Sequence, residues 1–199
     1  MKHPKSLLFA AVAGVLIAGT FIVLRPHDAP VTPSAWIVEA ATSLNRASFE
    51  GSARGHAAMP AADQTAARQF AFEGQKLRVQ RRFAEAADAY HQAVSADPMD
   101  ADSWADLADS AAAASGNDLT KGRDAIMRAL EIDPQHRKAL WLRASLELQE
   151  RRYAAAADTW RELQALLAPG SADARVVAAN IVEADGLARA LTVADGRGS

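Results

Sequence analysis

The stretch Ala86-x3-Tyr90-x2-Ala93-x4-Pro98 decides the fold, because its spacing comes back twice along the chain. It returns as Gly122-x3-Ile126-x2-Ala129-x4-Pro134, and again as Ala156-x3-Trp160-x2-Leu163 running on to Pro169. Positions i, i+4 and i+7 share one face of an α-helix. A small first residue lets a second helix cross close by, the aromatic or branched residue fills the space beside it, and the proline stops the helix. Three copies predict three stacked helix pairs, an all-α solenoid.

Working outward, the first repeat runs from about Ala67 to Pro98, with Phe70, Gly74 and Leu77 on the inner face of its first helix and Phe83, Ala86, Tyr90 and Ala93 on its second. Gly74 and Ala86 are small where the two helices cross, and Glu73 stands where an aliphatic residue is usual. The second repeat starts with Asp100 or Asp102 as cap and carries Trp104, Leu107 and Ala108, then Leu119, Gly122, Ile126 and Ala129. Pro98 to Pro134 is 36 residues, against about 34 for a tetratricopeptide repeat, whose helix–turn–helix pattern these segments resemble. The excess falls at Ser115-Gly116-Asn117-Asp118, a strong turn signal. Leu140, Ala144, Tyr153, Ala156, Trp160 and Leu163 build the third repeat. A final amphipathic helix follows, capped by Ser171 and carrying Val176, Val177, Asn180, Ile181, Ala184 and Leu187, to solvate the exposed end of the stack. The repeat domain is thus expected over residues 66–190, with a disordered tail over 191–199.

Ahead of the repeats, Lys2 and Lys5 precede an apolar run from Leu7 to Leu24. As a helix that run is about 27 Å long, close to a bilayer's hydrocarbon thickness. It is longer than a signal-peptide core and passes straight into Arg25-Pro26, so an uncleaved anchor is expected at 7–24 behind a cytoplasmic stub at 1–6. The lysines favour a cytoplasmic N-terminus, which puts the remainder in the bacterial periplasm with a single pass through the inner membrane. Residues 25–65, rich in Ala, Pro and Ser, read as a linker in which Ser34–Phe49 can form a short amphipathic helix through Trp36, Ile37, Ala40, Ala41 and Leu44.

A net charge of −2, with no basic stripe interleaved with aromatics, argues against nucleic-acid binding. With no cysteine there is no disulfide, thiolate metal site, cysteine nucleophile or covalent haem attachment. His3, His27, His56, His91 and His136 are scattered and read as surface residues, and no phosphate loop, nucleophile elbow or dinucleotide fingerprint appears. The chain reads as a binding protein with no cofactor and no catalytic residues.

The first helices of stacked pairs line a concave face. Setting packing positions aside, the candidates facing it are Gln75, Arg78, Asp102, Ala105, Asp109, Ala112, Lys138, Trp141, Ser145 and Leu148. Trp141 either anchors a bound peptide or packs on the end helix or the second repeat, whereas Trp104 and Trp160 fall at core positions. Arg78, Arg81, Arg82, Lys138, Arg143, Arg151 and Arg152 either receive a carboxylate or form a solvated rim. Of the positions used by the dicarboxylate clamp of chaperone-binding repeats, only Lys138 and loosely Gln75 fit, while Ala71, Asp106 and Leu142 do not.

The single span, the long Gly-containing turn, the run Asp133-Pro134-x2-Arg137-Lys138-Ala139-Leu140-Trp141-Leu142-x-Ala144 and the ending Trp160-x-Glu162-Leu163 together resemble the tetratricopeptide proteins of cytochrome c maturation, of the CcmI and NrfG type. The resemblance covers residues 66–190 and implies a haem-lyase component that holds the C-terminal segment of an unfolded apocytochrome c beside other lyase subunits. The alternative is a general envelope scaffold or holdase attached to a secretion, pilus or cell-wall assembly machine.

Overall fold

The computed structural model describes residues 61–196, in which seven α-helices and one 3-10 turn occur and no strand. α1 spans Ala61–Val79, α2 Phe83–Ala96, α3 Ala101–Ala114, α4 Arg123–Ile132, α5 Arg137–Gln149, α6 Tyr153–Ala165 and α7 Ala172–Gly196, with the 3-10 turn at Leu119–Gly122 leading into α4. Each helix packs on its neighbours in chain order, and α3 also reaches α5. Three antiparallel pairs and an end helix result. The expected stub, the Leu7–Leu24 span and the Ser34–Phe49 helix lie outside the described residues. None of the described helices is long and apolar enough to cross a membrane.

The turns between repeats show why the Asp-Pro pairs recur. The Asp97 and Asp133 side chains accept hydrogen bonds from the Met99 and Gln135 amides, at 3.1 and 3.0 Å, so each aspartate turns the chain past its proline. Asp100 then caps α3 by accepting from the Asp102 amide, and Ser171 caps α7 by accepting from the Ala174 amide. The second helix pair does not close as the sequence suggested: Leu119–Gly122 winds as a 3-10 turn instead of joining α4. A Cβ on Gly122 would lie 2.6 Å from the Ala108 carbonyl oxygen, so the missing side chain lets this turn press on α3.

Small residues set the helix spacing elsewhere. Gly74 faces the ring of Tyr90, where a Cβ would meet ring carbon at 2.9 Å. Ala86, Ala93, Ala108, Ala129, Ala144 and Ala156 are all fully buried. Trp104 is half-buried, its indole N–H donating to the Pro98 carbonyl at 3.0 Å. Within pairs one and three the chain reverses through Arg81 (φ 60°) and Arg151 (φ 59°), left-handed arginines that no composition rule points to. The second pair reverses through Gly116 and Asn117, both also left-handed, at the turn the sequence marks.

Two boundaries differ from expectation. α1 begins at Ala61, inside the stretch read as linker, and α7 runs on through residues 191–196, which were read as tail. The first extension opens on Ala61-Ala62, and alanine loses the least on entering a helix.

Candidate functional site

The first helices α1, α3 and α5 are stitched to one another by charge. Arg78 on α1 donates from Nη1 to Asp106 Oδ1 at 3.2 Å and from Nη2 to Asp109 on α3. Lys138 on α5 binds the same two carboxylates, Asp109 Oδ2 at 2.9 Å and Asp106 directly. Asp106 and Asp109 lie one turn apart, so both point off α3 toward its neighbours on either side. Lys138 is 1% exposed, and carboxylates replace the water its ammonium gives up. Burial by itself would raise Asp109, but Lys138 and Arg78 more than offset that and hold its carboxyl below the ordinary value. The Tyr90 hydroxyl sits buried beside this network, and burial, with the charge of Asp106, pushes its ionisation far above the usual phenol range.

A second bridge between α3 and α5 runs through His136. Its Nδ1 accepts from the Ala139 amide at 3.1 Å, capping α5, and its Nε2 lies 2.9 Å from Asp102 Oδ1. With Nδ1 accepting, Nε2 carries the proton and donates to Asp102. His136 is therefore a buried structural residue and not the surface histidine read from the sequence. Below it, Glu147 is buried and accepts from Arg143 (3.2 Å), Arg152 (2.9 Å) and the Thr159 hydroxyl (2.8 Å), tying α5 to α6.

Of the candidate groove residues, Ala105 and Ala112 are buried between helices and do not face a groove, and Asp102 is the partner of His136; the rest fall into three groups. Gln75 is exposed and Ser145 half-buried, its hydroxyl donating back to the Trp141 carbonyl. Arg78, Asp109 and Lys138 come together, but as each other's partners. Trp141 is the departure: it is 1% exposed and packs edge-on against Trp160, ring centroids 6.4 Å apart, in the core that α5 and α6 form with α7. Val177 and Ala184 of α7 lie in that core and exclude a bound peptide from the ring. Leu148 packs on the edge of the same cluster and is only partly buried.

Of the basic residues read as a possible carboxylate receiver, Arg82 pairs with Glu85, Arg143 and Arg152 with Glu147, and Arg81 and Arg151 are exposed turn residues. Asp106, Glu147 and His136 are the site residues that sequence reasoning did not select. The only signal for Asp106 was its spacing of three from Asp109, which puts both carboxylates on one side of α3. Among the described residues no cluster of His, Asp and Glu has the arrangement of a metal site.

No family model matches the chain, and no curated protein matches it. Among solved structures it is similar to the tetratricopeptide domain of Arabidopsis OM64, with TM-score 0.54 and 18% identity over 61% of this chain and 98% of that one. It is also similar to the first such domain of Spaghetti (RPAP3) bound to the HSP90 peptide SRMEEVD, with TM-score 0.53 and 18% identity over 65% of this chain and 98% of that one. At this identity the likeness is one of fold. The described residues have the tetratricopeptide-repeat architecture.

Proposed function

We propose, from a tetratricopeptide fold whose three first helices present one face, that this chain is a membrane-anchored periplasmic protein that binds a polypeptide segment. It holds the C-terminal segment of an apocytochrome c for haem attachment, together with other haem-lyase subunits. The observation that carries the peptide-binding part is the fold itself, since stacked repeats offer an extended concave surface and one solved relative holds a peptide. The cytochrome assignment rests on the run from Asp133 to Leu163 and on the lack of cysteine, which suits a holder and leaves haem chemistry to its client. The chain supplies no catalytic group or cofactor in this reading.

The ion network adds a restriction on how a segment is held. Lys138 and Arg78 already face Asp106 and Asp109, so an acidic peptide end has to displace internal carboxylates from a buried ammonium. That exchange gains little. The peptide of the Spaghetti complex ends in such acidic residues, whereas the segment held here is recognised through apolar and neutral contacts at Leu148, Ser145 and Gln75.

Photocrosslinking from Gln75 and Ser145 in cells, followed by identification of the captured chains, tests the reading. Apocytochromes and haem-lyase components are expected. Recovery of secretion, pilus or cell-wall assembly proteins in their place establishes the general envelope scaffold and overturns the cytochrome assignment.

A further inference from the structure

The two ends of the repeat stack are treated differently. At the C-terminal end α7 covers the third pair with Ala174, Val177 and Ala184. At the N-terminal end α1 turns Ala67, Gly74 and Leu77 inward, yet Phe72 is 68% and Val79 82% exposed. Each of these two stands two residues from a buried position, about 200° around the helix, so together they mark the outer face of α1. They are seven residues apart on that face, about 10.5 Å. A large aromatic left this open on the terminal helix of a solenoid is the edge that a capping element covers.

We infer that residues 34–49 of this same chain dock antiparallel on the outer face of α1, with Leu44 against Phe72 and Ile37 against Val79, as an N-terminal counterpart of α7. Three facts select this occupant. Ile37 and Leu44 are also seven residues apart, so two antiparallel helices bring both pairs into register at once. The eleven residues 50–60 join the segment to the start of α1. Fully extended they reach about 36 Å, while the return to Ala61 with Leu44 opposite Phe72 needs only roughly 15 Å at ordinary helix spacing. The polar residues match in sign as well: the face carries Arg68 and Lys76, the latter also paired with Glu73 at 3.2 Å, while Glu39 in the segment and Glu50 at the start of the linker outnumber the one Arg46. Gln75 stands three residues after Phe72 and four before Val79, so the docked segment borders the concave face there and leaves Ser145 and Leu148 to a bound peptide.

Because the chain has no cysteine, engineered pairs report cleanly. The full chain is extracted in detergent micelles carrying Ile37→Cys with Val79→Cys, or, as control, Ile37→Cys with Met127→Cys, Met127 being exposed on α4. Under mild oxidation the first pair is expected to close within one chain at least tenfold faster than the control. Equal rates overturn the proposal, and so does a product of twice the mass, which assigns the face to a second copy. Amide exchange gives a second reading: exchange in residues 34–49 is expected to be slow in the unmodified chain and to accelerate at least tenfold in Phe72→Ser/Val79→Ser, with the repeats unchanged. Unprotected amides in the micelle sample overturn the docking, and so does protection that appears only on adding anionic lipid vesicles, which places the segment on the membrane.

Discussion

An ammonium buried to the extent of Lys138 costs several kcal/mol unless carboxylates replace its water. Asp106 and Asp109 do so, and Arg78 neutralises the remainder from the other side. Asp109→Ala removes one carboxylate from both cations at once and should lower unfolding free energy by about 3 kcal/mol in urea titrations. Asp88→Ala, exposed on α2, should stay within about 0.5 kcal/mol. The pH dependence follows in sign. Asp109 sits lower in the folded chain than in the unfolded one, so its contribution is complete above the ordinary carboxylate value of about 3.9 and is lost as pH falls from there through its folded value. Acid should therefore narrow the gap between the parent chain and Asp109→Ala. Trp141 behaves as core: Trp141→Ala should cost about 3 to 5 kcal/mol by the same titration. From sequence this tryptophan stood equally well in the groove or in the core, because its partner Trp160 and its cover on α7 are far along the chain. Lys138, by contrast, read as a groove cation because nothing local reveals that Asp106 and Asp109 close over it.

Among elements, the second helices α2, α4 and α6 were legible to within a few residues because each carries its own crossing residue, its aromatic or branched partner and a closing proline. The 3-10 turn was not, because Leu119-Thr120-Lys121-Gly122 has ordinary helical patterning and the close approach of Gly122 to Ala108 joins residues on different elements. The cap of α5 escaped for a similar reason, a ring nitrogen of His136 doing what Ser or Asp usually does. Where helices meet through alanine, substitution reads the register directly. Ala86→Leu and Ala156→Leu put three extra carbons into sites with no exposed surface and should each cost about 1 to 3 kcal/mol. Ala154→Leu, on the exposed side of α6, should be close to neutral. Equal thermal midpoints for the three variants would show that α2 and α6 pack on other faces.

For the whole molecule, the expected Leu7–Leu24 anchor and the proposed client meet in one preparation. The full chain should stay with membranes through salt and carbonate washing, and appearance in the soluble fraction, or a mature N-terminus beyond residue 24, removes the anchor. Purified in micelles, it should bind a peptide from the C-terminus of an apocytochrome c with a Kd of roughly micromolar order, without haem. The charge arrangement makes this prediction specific. If free cations held the ligand, affinity would fall steeply with salt, because exposed charge pairs are screened beyond about 10 Å at 0.1 M. With Arg78 and Lys138 committed to internal aspartates, raising salt from 0.05 to 0.5 M should change affinity by less than about threefold. Contact through apolar and neutral side chains predicts instead that Ser145→Trp, which fills the face beside Leu148, weakens binding more than tenfold, a loss of about 1.4 kcal/mol or more. The thermal midpoint should hold, since Ser145 is half-exposed. Steep salt dependence with no effect of Ser145→Trp would mean that the ion network opens to receive the peptide, and that the cations are the receptor after all.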